Sequence, residues 1–290
     1  MDFTLKTYRS LLSALEQSGY AFRTFEEFLS VPAGGKVVVL RHDIDKRPEN
    51  ALRMAQMEHA SGIKASYYIR VVKGTWNEEI IERIVALGHE VSYHYEDLTI
   101  AKGNYEKAFE YFKKHLAEIR RFYPAKTVCM HGSPLSRWDN RKLWEKYNYR
   151  EAGIIGEPYF DVDYTKVLYI TDTGRAWNKT GASIRDKVEG GLELKVKNTR
   201  RLITLIGNDE LPEKLIINTH PQRWFDFGWG WMSEFICQHI KNAVKKALVA
   251  FNYKVTTKKR NAERYSDRIE LQGFQSCFRL FVKPSQSPLK

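Results

Sequence analysis

The chain has 290 residues, 43% hydrophobic and 28% charged, with 47 Lys and Arg against 35 Asp and Glu for a formal net charge of +12. That composition excludes disordered and fibrous classes, and the length allows one α/β barrel or two ordinary domains around a large core. Residues 241–290 hold 12 Lys and Arg but 3 Asp and Glu, a net of +9, which leaves the body nearly balanced and excludes a nucleic-acid-binding surface over the whole protein.

In chain order, Leu5, Tyr8, Leu11, Leu12 and Leu15 recur at helical spacing, so residues 4–18 read as a helix, and 24–30 as a second. Pro32-Ala33-Gly34-Gly35 breaks the pattern. Lys36-Val37-Val38-Val39-Leu40 then opens a strand whose near-continuous apolar run suits a parallel sheet buried on both faces. Helices are expected over 48–61, 78–87, 105–122, 139–147 (short) and 198–207. Strands alternate with them at 65–72, 90–96, 127–131, 151–155 (weak), 167–171 and 215–219. An amphipathic helix is expected over 233–250, with Lys241, Lys245 and Lys246 able to form one basic face. Ile269–Leu271 and Cys277–Val282 have strand character but no place in the barrel. The aromatic run Trp224–Trp231 reads as too glycine-broken for a helix.

No uncharged apolar run approaches the roughly 18–20 residues of a membrane span. Met1–Lys6 lacks the basic and apolar regions of a secretory signal. Cys129, Cys237 and Cys277 are scattered, without Cys-x-x-Cys spacing, and the expected compartment is a reducing cytoplasm.

Alternating strands and helices indicate a parallel α/β fold. Five strand ends carry polar clusters: Arg41-His42-Asp43-Ile44-Asp45, His94-Tyr95-Glu96-Asp97, His131-Gly132-Ser133, Asp172-Thr173-Gly174 and His220-Pro221. Functional groups gather at the carboxyl ends of parallel strands, and five such ends favour a ring-like mouth over a single crevice. Asp43 and Asp45 are two apart, so strand geometry puts both carboxylates on one face with Arg41; His94 and Glu96 repeat the arrangement. Oxygen and nitrogen donors of this kind suit zinc or another first-row divalent metal. A remaining carboxylate would take a proton from water, and His220 is available to protonate a leaving group. An isolated Asp at a strand end ordinarily caps a helix or pairs with Arg; the joint occurrence of five ends is what favours chemistry. His42 has the opposite parity from Asp43 and is expected outside the mouth, and His59, His89, His115 and His239 read as structural or surface residues.

Between about Lys36 and Trp224 the sequence resembles the polysaccharide deacetylases, the NodB-like carbohydrate esterases. The residues that carry the likeness are Val39–Asp45, Gly88–His94, Asp172-Thr173-Gly174-Arg175-Ala176-Trp177 and Ile217-Asn218-Thr219-His220-Pro221, in the family's motif order. Arg-His-Asp-Ile-Asp, Tyr-His-Tyr-Glu-Asp, Met-His-Gly-Ser-Pro and Asn-Thr-His-Pro-Gln-Arg-Trp together look like a cytoplasmic branch linked to bacterial surface-glycan biosynthesis. The resemblance implies a distorted (β/α) barrel of about seven parallel strands. Its divisions are an N-terminal helical extension (1–35), the barrel (36–250) and a basic C-terminal extension (251–290).

The resemblance also implies metal-dependent removal of an N-acetyl group from a sugar, with Asp43 as base, His220 as acid, Asp172 beside them, and Asp45 and His94 as metal ligands. Two departures stand out. The family's second metal His lies four residues after the first, where this chain has Leu98; His131 is the favoured substitute and Glu96 the alternative. The family's Arg-containing third motif is replaced by Met130–Pro134, so Arg41 or Arg70 would orient Asp43. Arg41, Arg70, Tyr93, Trp177 and Trp224 are expected on the substrate side of the site. The expected substrate is an N-acetylated nucleotide sugar or lipid-linked glycan of capsule or O-antigen assembly, with no nucleic acid and with possible peripheral membrane contact through the basic C-terminus. The competing reading, motivated by Leu98, is a non-catalytic binder of glycan or lipid carrier on the same barrel.

Overall fold

A computed structural model describes residues 1–31, 34–133, 136–177, 196–226 and 228–239, together with 188, 192 and 194. Met1–Gln238 forms one compact unit. Helix α1 (Leu5–Gln17) starts where the Thr4 hydroxyl accepts the Thr7 amide, and buries Leu5, Tyr8, Leu11, Leu12 and Leu15. Strand β1 (Ala21–Arg23) follows, then α2 (Phe25–Ser30), whose N-terminus is fixed by the reciprocal Thr24–Glu27 capping box. After β2 (Val37–Ile44) come α3 (Pro48–His59), β3 (Ser66–Ile69), α4 (Glu78–Ala86), β4 (Glu90–Tyr95), the short α5 (Asp97–Ile100), α6 (Tyr105–Arg120) and β5 (Val128–Met130). The C-terminal half adds 3-10 turns at Asn140–Glu145 and Tyr149–Ala152, β6 (Leu168–Thr171), α7 (Thr199–Gly207), β7 (Lys214–Thr219) and a last 3-10 turn, Pro221–Arg223.

The seven strands form one parallel sheet in the order β5-β4-β3-β2-β7-β6, curved into a distorted barrel, with β1 paired to β2. β2 lies at its centre and every one of its residues is buried. β1 pairs with Val37–Val39 and β3 with Arg41–Ile44. The N-terminal residues are thus built into the unit, because β1 extends the sheet and α1 packs on α7.

Strand parity divides the core in two. Val38, Leu40 and Ile44 point into the large apolar layer beneath the helices. Val39, Tyr68, Cys129, Tyr169 and Ile216 form a smaller cluster in the barrel interior. The site grows out of that interior face. Continuing each interior row by twos gives Arg41, Asp43 and Asp45 after Val39, His94 on β4, His131 after Cys129, and Asn218 and His220 after Ile216.

Two expectations need correction. The strand expected at 151–155 is a 3-10 turn, capped by Asn148 and stopped by Gly153 at φ 73°, and only the Thr127–Gly156 bridge remains of the pairing. The chain from Trp229 to residue 239 is helical despite its glycines, because Trp231 stacks on Phe235 and both rings cover Arg175. The rest of the expected 233–250 helix, its basic face, the strand-like segments beyond it and the boundary at 251 lie outside the described residues.

Candidate active site and metal centre

The floor of the mouth is the Arg41–Asp43 pair. Arg41 donates from Nε to Asp43 Oδ1 at 3.0 Å and from Nη2 to Oδ2 at 2.7 Å, and Asn218 Nδ2 adds a bond to Oδ2 at 3.0 Å. The guanidinium lies over the rings of Tyr159 and Tyr169, 5.4 and 5.5 Å from their centroids. Burial alone would raise the Asp43 carboxyl, but the charges of Arg41 and then His94 outweigh it and hold it well below the usual carboxylate range. Asp43 is therefore an ionised acceptor at neutral pH.

Above this pair, Asp45, His94 and His131 bring one ligand atom each within 4.8 Å of one another. Asp45 Oδ1 is 3.0 Å from His131 Nδ1 and 3.6 Å from His94 Nε2, and the two imidazole nitrogens are 3.3 Å apart. His94 donates Nδ1–H to the Cys129 carbonyl at 3.0 Å, since a carbonyl only accepts, which leaves the Nε2 lone pair facing Asp45. Asp45 Oδ1 is buried yet accepts no properly directed hydrogen bond from the described residues, although two imidazoles crowd it. An orphaned buried oxygen with two nitrogen donors beside it fits a divalent cation of the zinc type. Burial would raise the Asp45 carboxyl, but His131, His94 and His220 together hold it well below its ordinary range. Burial would lower His94, and Asp43 and Asp45 overcome that and raise it.

Glu96 does not join the cluster. Arg70 holds it from Nε at 2.7 Å, Ser133 adds a 3.2 Å bond, and its Oε2 is 3.9 Å from His131 Nε2. Glu96 sits behind His131, on the side away from Asp45.

The opposite wall is built on Asp172, which has no solvent exposure. It accepts the His220 Nδ1 proton at 2.7 Å, the His220 amide, Trp224 Nε1 at 2.8 Å and Arg223 Nη1 at 2.5 Å. His220 Nε2 then faces Asp45 Oδ2 at 3.9 Å. Burial would raise the Asp172 carboxyl, but Arg223 and then His220 keep it ionised. Solvent reaches the site from one side: the side chains of Asp45 and His131 are 19% and 13% exposed, that of His94 only 2%.

The residues expected on the substrate side each have a protein partner in the structure. Arg41 is fully buried and serves Asp43. Arg70 is committed to Glu96 and to the Asp45 carbonyl. Tyr93 has the opposite parity from His94 and points into the helix layer, where its hydroxyl meets Asp97 and His115. Trp177 is buried against Phe3 and Trp224, with its Nε1 on Thr199, and Trp224 is spent on Asp172. Sequence reasoning missed Asn218, Arg223, Tyr159 and Gln222, which donates to Asp45 Oδ2 at 3.2 Å. Asn218 was accessible by parity, two residues before His220 on the same strand.

His42 lies outside the mouth, as its parity requires. It bonds to Thr219 through Nδ1 at 2.6 Å, and its Nε2 lies 2.9 Å from Glu58 Oε1, on the helix side of β2.

No family model matches the chain, and no curated protein is similar to it. Among solved structures, a family 4 carbohydrate esterase from Bacillus anthracis aligns with a TM-score of 0.39 and 13% identity, over 72% of this chain and 76% of its own. A pseudoenzyme of carbohydrate esterase family 4 from Bacillus anthracis aligns at 0.37 and 13%, over 73% and 62%. A mutant of that pseudoenzyme with restored enzymatic activity gives 0.37 and 13%, over 73% and 64%.

Proposed function

We propose that this chain is a metal-dependent hydrolase that removes the N-acetyl group of a sugar, leaving an amine and acetate. The observation that carries the reading is the convergence of Asp45, His94 and His131 between an ionised carboxylate, Asp43, and an imidazole held by a buried carboxylate, His220. Asp45, His94 and His131 would hold the metal, zinc or another first-row divalent ion. When bound, it supplies a Lewis acid that polarises the acyl carbonyl and makes water a nucleophile near neutral pH.

The chain's own residues supply the proton transfers. Asp43 accepts the proton of the attacking water; Arg41 and Asn218 fix its orientation, so little reorganisation accompanies the step. His220 stands on the adjacent strand with Nδ1 tied to Asp172, which stabilises the protonated ring and aims Nε2 at the mouth. It delivers its Nε2 proton to the departing amine as the carbon–nitrogen bond breaks. The opening over Asp45 and His131 is where the acyl group enters.

The role of His131 supports catalysis over the binding-only alternative, since Leu98 no longer leaves the donor set short of a third member. Among the described residues no helix is long and apolar enough to cross a membrane. We place the substrate among cytoplasmic nucleotide-linked or lipid-linked N-acetylated sugars of bacterial surface-polysaccharide assembly, as the motifs around Asp43, His94, His131 and His220 suggest. The test is metal analysis of the purified protein together with acetate release from such sugars. One divalent ion per chain and loss of activity in Asp43→Asn are expected. No bound metal, or undiminished acetate release by Asp43→Asn, overturns the reading.

A further inference from the structure

Cys129 lies two residues before His131 on the interior row of β5, one layer deeper than the mouth. Its Sγ is 4.0 Å from Asp43 Oδ1, and its carbonyl holds the ring of His94. Asp43, His94 and Cys129, all buried, form a second group whose ligand atoms lie within 4.8 Å of one another, and it shares His94 with the first group.

The lone pairs at Asp43 allow this. Oδ2 accepts from both Arg41 and Asn218, while Oδ1 accepts Arg41 Nε–H and, at 4.0 Å, the Cys129 thiol, so losing the thiol proton leaves an Oδ1 lone pair facing the sulfur. In a four-coordinate site, metal–sulfur bonds of about 2.3 Å and metal–nitrogen or metal–oxygen bonds of about 2.0–2.2 Å put neighbouring ligand atoms roughly 3.3–3.7 Å apart. Sγ is 4.0 Å from Asp43 Oδ1 and His94 Nε2 is 3.9 Å from the other oxygen, Oδ2, with one ligand atom of each residue within 4.8 Å of the others, so binding draws the set in by up to about 1 Å. The upper group offers only nitrogen and carboxylate oxygen; the lower one adds a thiolate, which selects softer metals.

We propose that Asp43, His94 and Cys129 form a second, thiophilic metal position that takes a soft divalent cation such as Cd2+ in place of the cation at Asp45, His94 and His131. Exclusion follows from His94, whose Nε2 has one lone pair to give. Binding forms a sulfur–metal bond as the Cys129 thiol releases its proton to solvent. A cation there also takes the Asp43 Oδ1 lone pair that the Cys129 thiol otherwise meets. Inhibition by soft metals therefore rests on the deacetylase reading, whereas the binding itself does not.

The experiment uses full-length protein carrying Cys237→Ser and Cys277→Ser, so that Cys129 is the only one of the three cysteines left. The protein is loaded with Zn2+ and titrated with Cd2+, following the thiolate-to-cadmium absorption in the ultraviolet and the zinc released. One equivalent of Cd2+ is expected to raise the band and displace zinc one for one. His94→Ala should abolish the band and His131→Ala should retain it, with circular dichroism reporting that each is folded. No band, a band that survives His94→Ala, or cadmium bound while zinc is retained overturns the proposal. If the band behaves as expected but the zinc protein releases no acetate, the deacetylase reading fails and this one stands. If the zinc protein is active and Cys129→Ser leaves cadmium sensitivity unchanged, rather than lowering it at least tenfold, this one fails alone.

Discussion

Asp172→Asn puts the wall of the site to a direct test. Asp172 is buried and its two oxygens accept from His220 Nδ1, the His220 amide, Trp224 Nε1 and Arg223 Nη1. All four partners are donors. An amide has one oxygen, so in either flip its NH2 meets a donor: His220 Nδ1 and Arg223 in one, Trp224 in the other. Losing one charge-assisted bond costs about 1.5–3 kcal/mol, and leaving Arg223 buried without its counter-charge brings the total toward about 3–5 kcal/mol of stability. The effect on turnover is separable. With the NH2 on the His220 side, Nδ1 must accept instead of donate, and the protonated ring loses its stabilising carboxylate. A drop of roughly 10²–10⁴-fold in kcat is expected, with KM little changed because Asp172 is shielded from substrate. Urea denaturation and steady-state acetate release measure the two effects, and metal content should stay at the wild-type level, since Asp172 touches none of Asp45, His94 or His131. A folded Asp172→Asn protein with wild-type kcat would refute the assignment of His220 as proton donor.

Three further outcomes are expected. His131→Ala should lower metal affinity by at least tenfold, whereas Glu96→Gln should lower it less; equal effects in equilibrium dialysis would put Glu96 in the ligand set. Arg41→Lys keeps the charge but cannot reproduce the two-pronged contact with Asp43, so kcat/KM should fall about 10–100-fold while bound metal persists, and an unchanged kcat/KM would remove Arg41 from its positioning role. Burial pushes the Glu157 carboxyl up to about 7, against the bonds it accepts from the Tyr159 and Met130 amides. Between the ordinary glutamate value of about 4.5 and about 7 the folded state holds the extra proton, so this group's contribution to stability falls as pH rises through that window, by up to about 3 kcal/mol. The stability of Glu157→Gln relative to wild type should therefore improve by that order between pH 4.5 and 7.5, and a difference independent of pH would show that Glu157 is not the group responsible.

Period-two reasoning on buried strands made much of the site legible. Asp43 and Asp45, His94, His131 and His220 each end an interior row, and the apolar runs before them identify the strands. The same rule speaks against Tyr93, which as the neighbour of His94 must face the helices. Other features depended on tertiary placement. Whether Arg41 or Arg70 reaches Asp43 is decided by shared parity on β2 and by Glu96 capturing Arg70. Parity puts Asn218 on the interior row of His220, but its bond to Asp43, like the roles of Tyr159 and Arg223, comes from the pairing of β2 with β7 and the path of the chain before β6, neither of which a local pattern encodes. The helix from Trp229 was hidden because Gly228 and Gly230 lower its propensity, and the packing of Trp231 and Phe235 over Arg175 overrides that.

The placement of acid and base follows from a ladder that ends just below them. β2 and β7 pair through Arg41–Asn218 and His42–Thr219, so Asp43 and His220 are the next residues on adjacent strands. On the interior face Asn218 ties β7 to Asp43; on the opposite face His42 bonds Thr219 and lies against Glu58, which accepts from Tyr8 on α1 and Tyr67 on β3. The last rung is therefore clamped on both sides of the sheet. Burial would raise Glu58, but His42 and then His89 lower it, so a charged carboxylate stands behind the sheet where a simple core would be apolar. Breaking one partner of such a buried pair costs several kcal/mol, whereas an apolar replacement of the whole group need not. What the apolar version would lose is the fixed register of β2 against β7, and with it the alignment of Asp43 and His220 across the metal ligands. The polar residues behind the sheet and those in the mouth thus serve one geometric requirement.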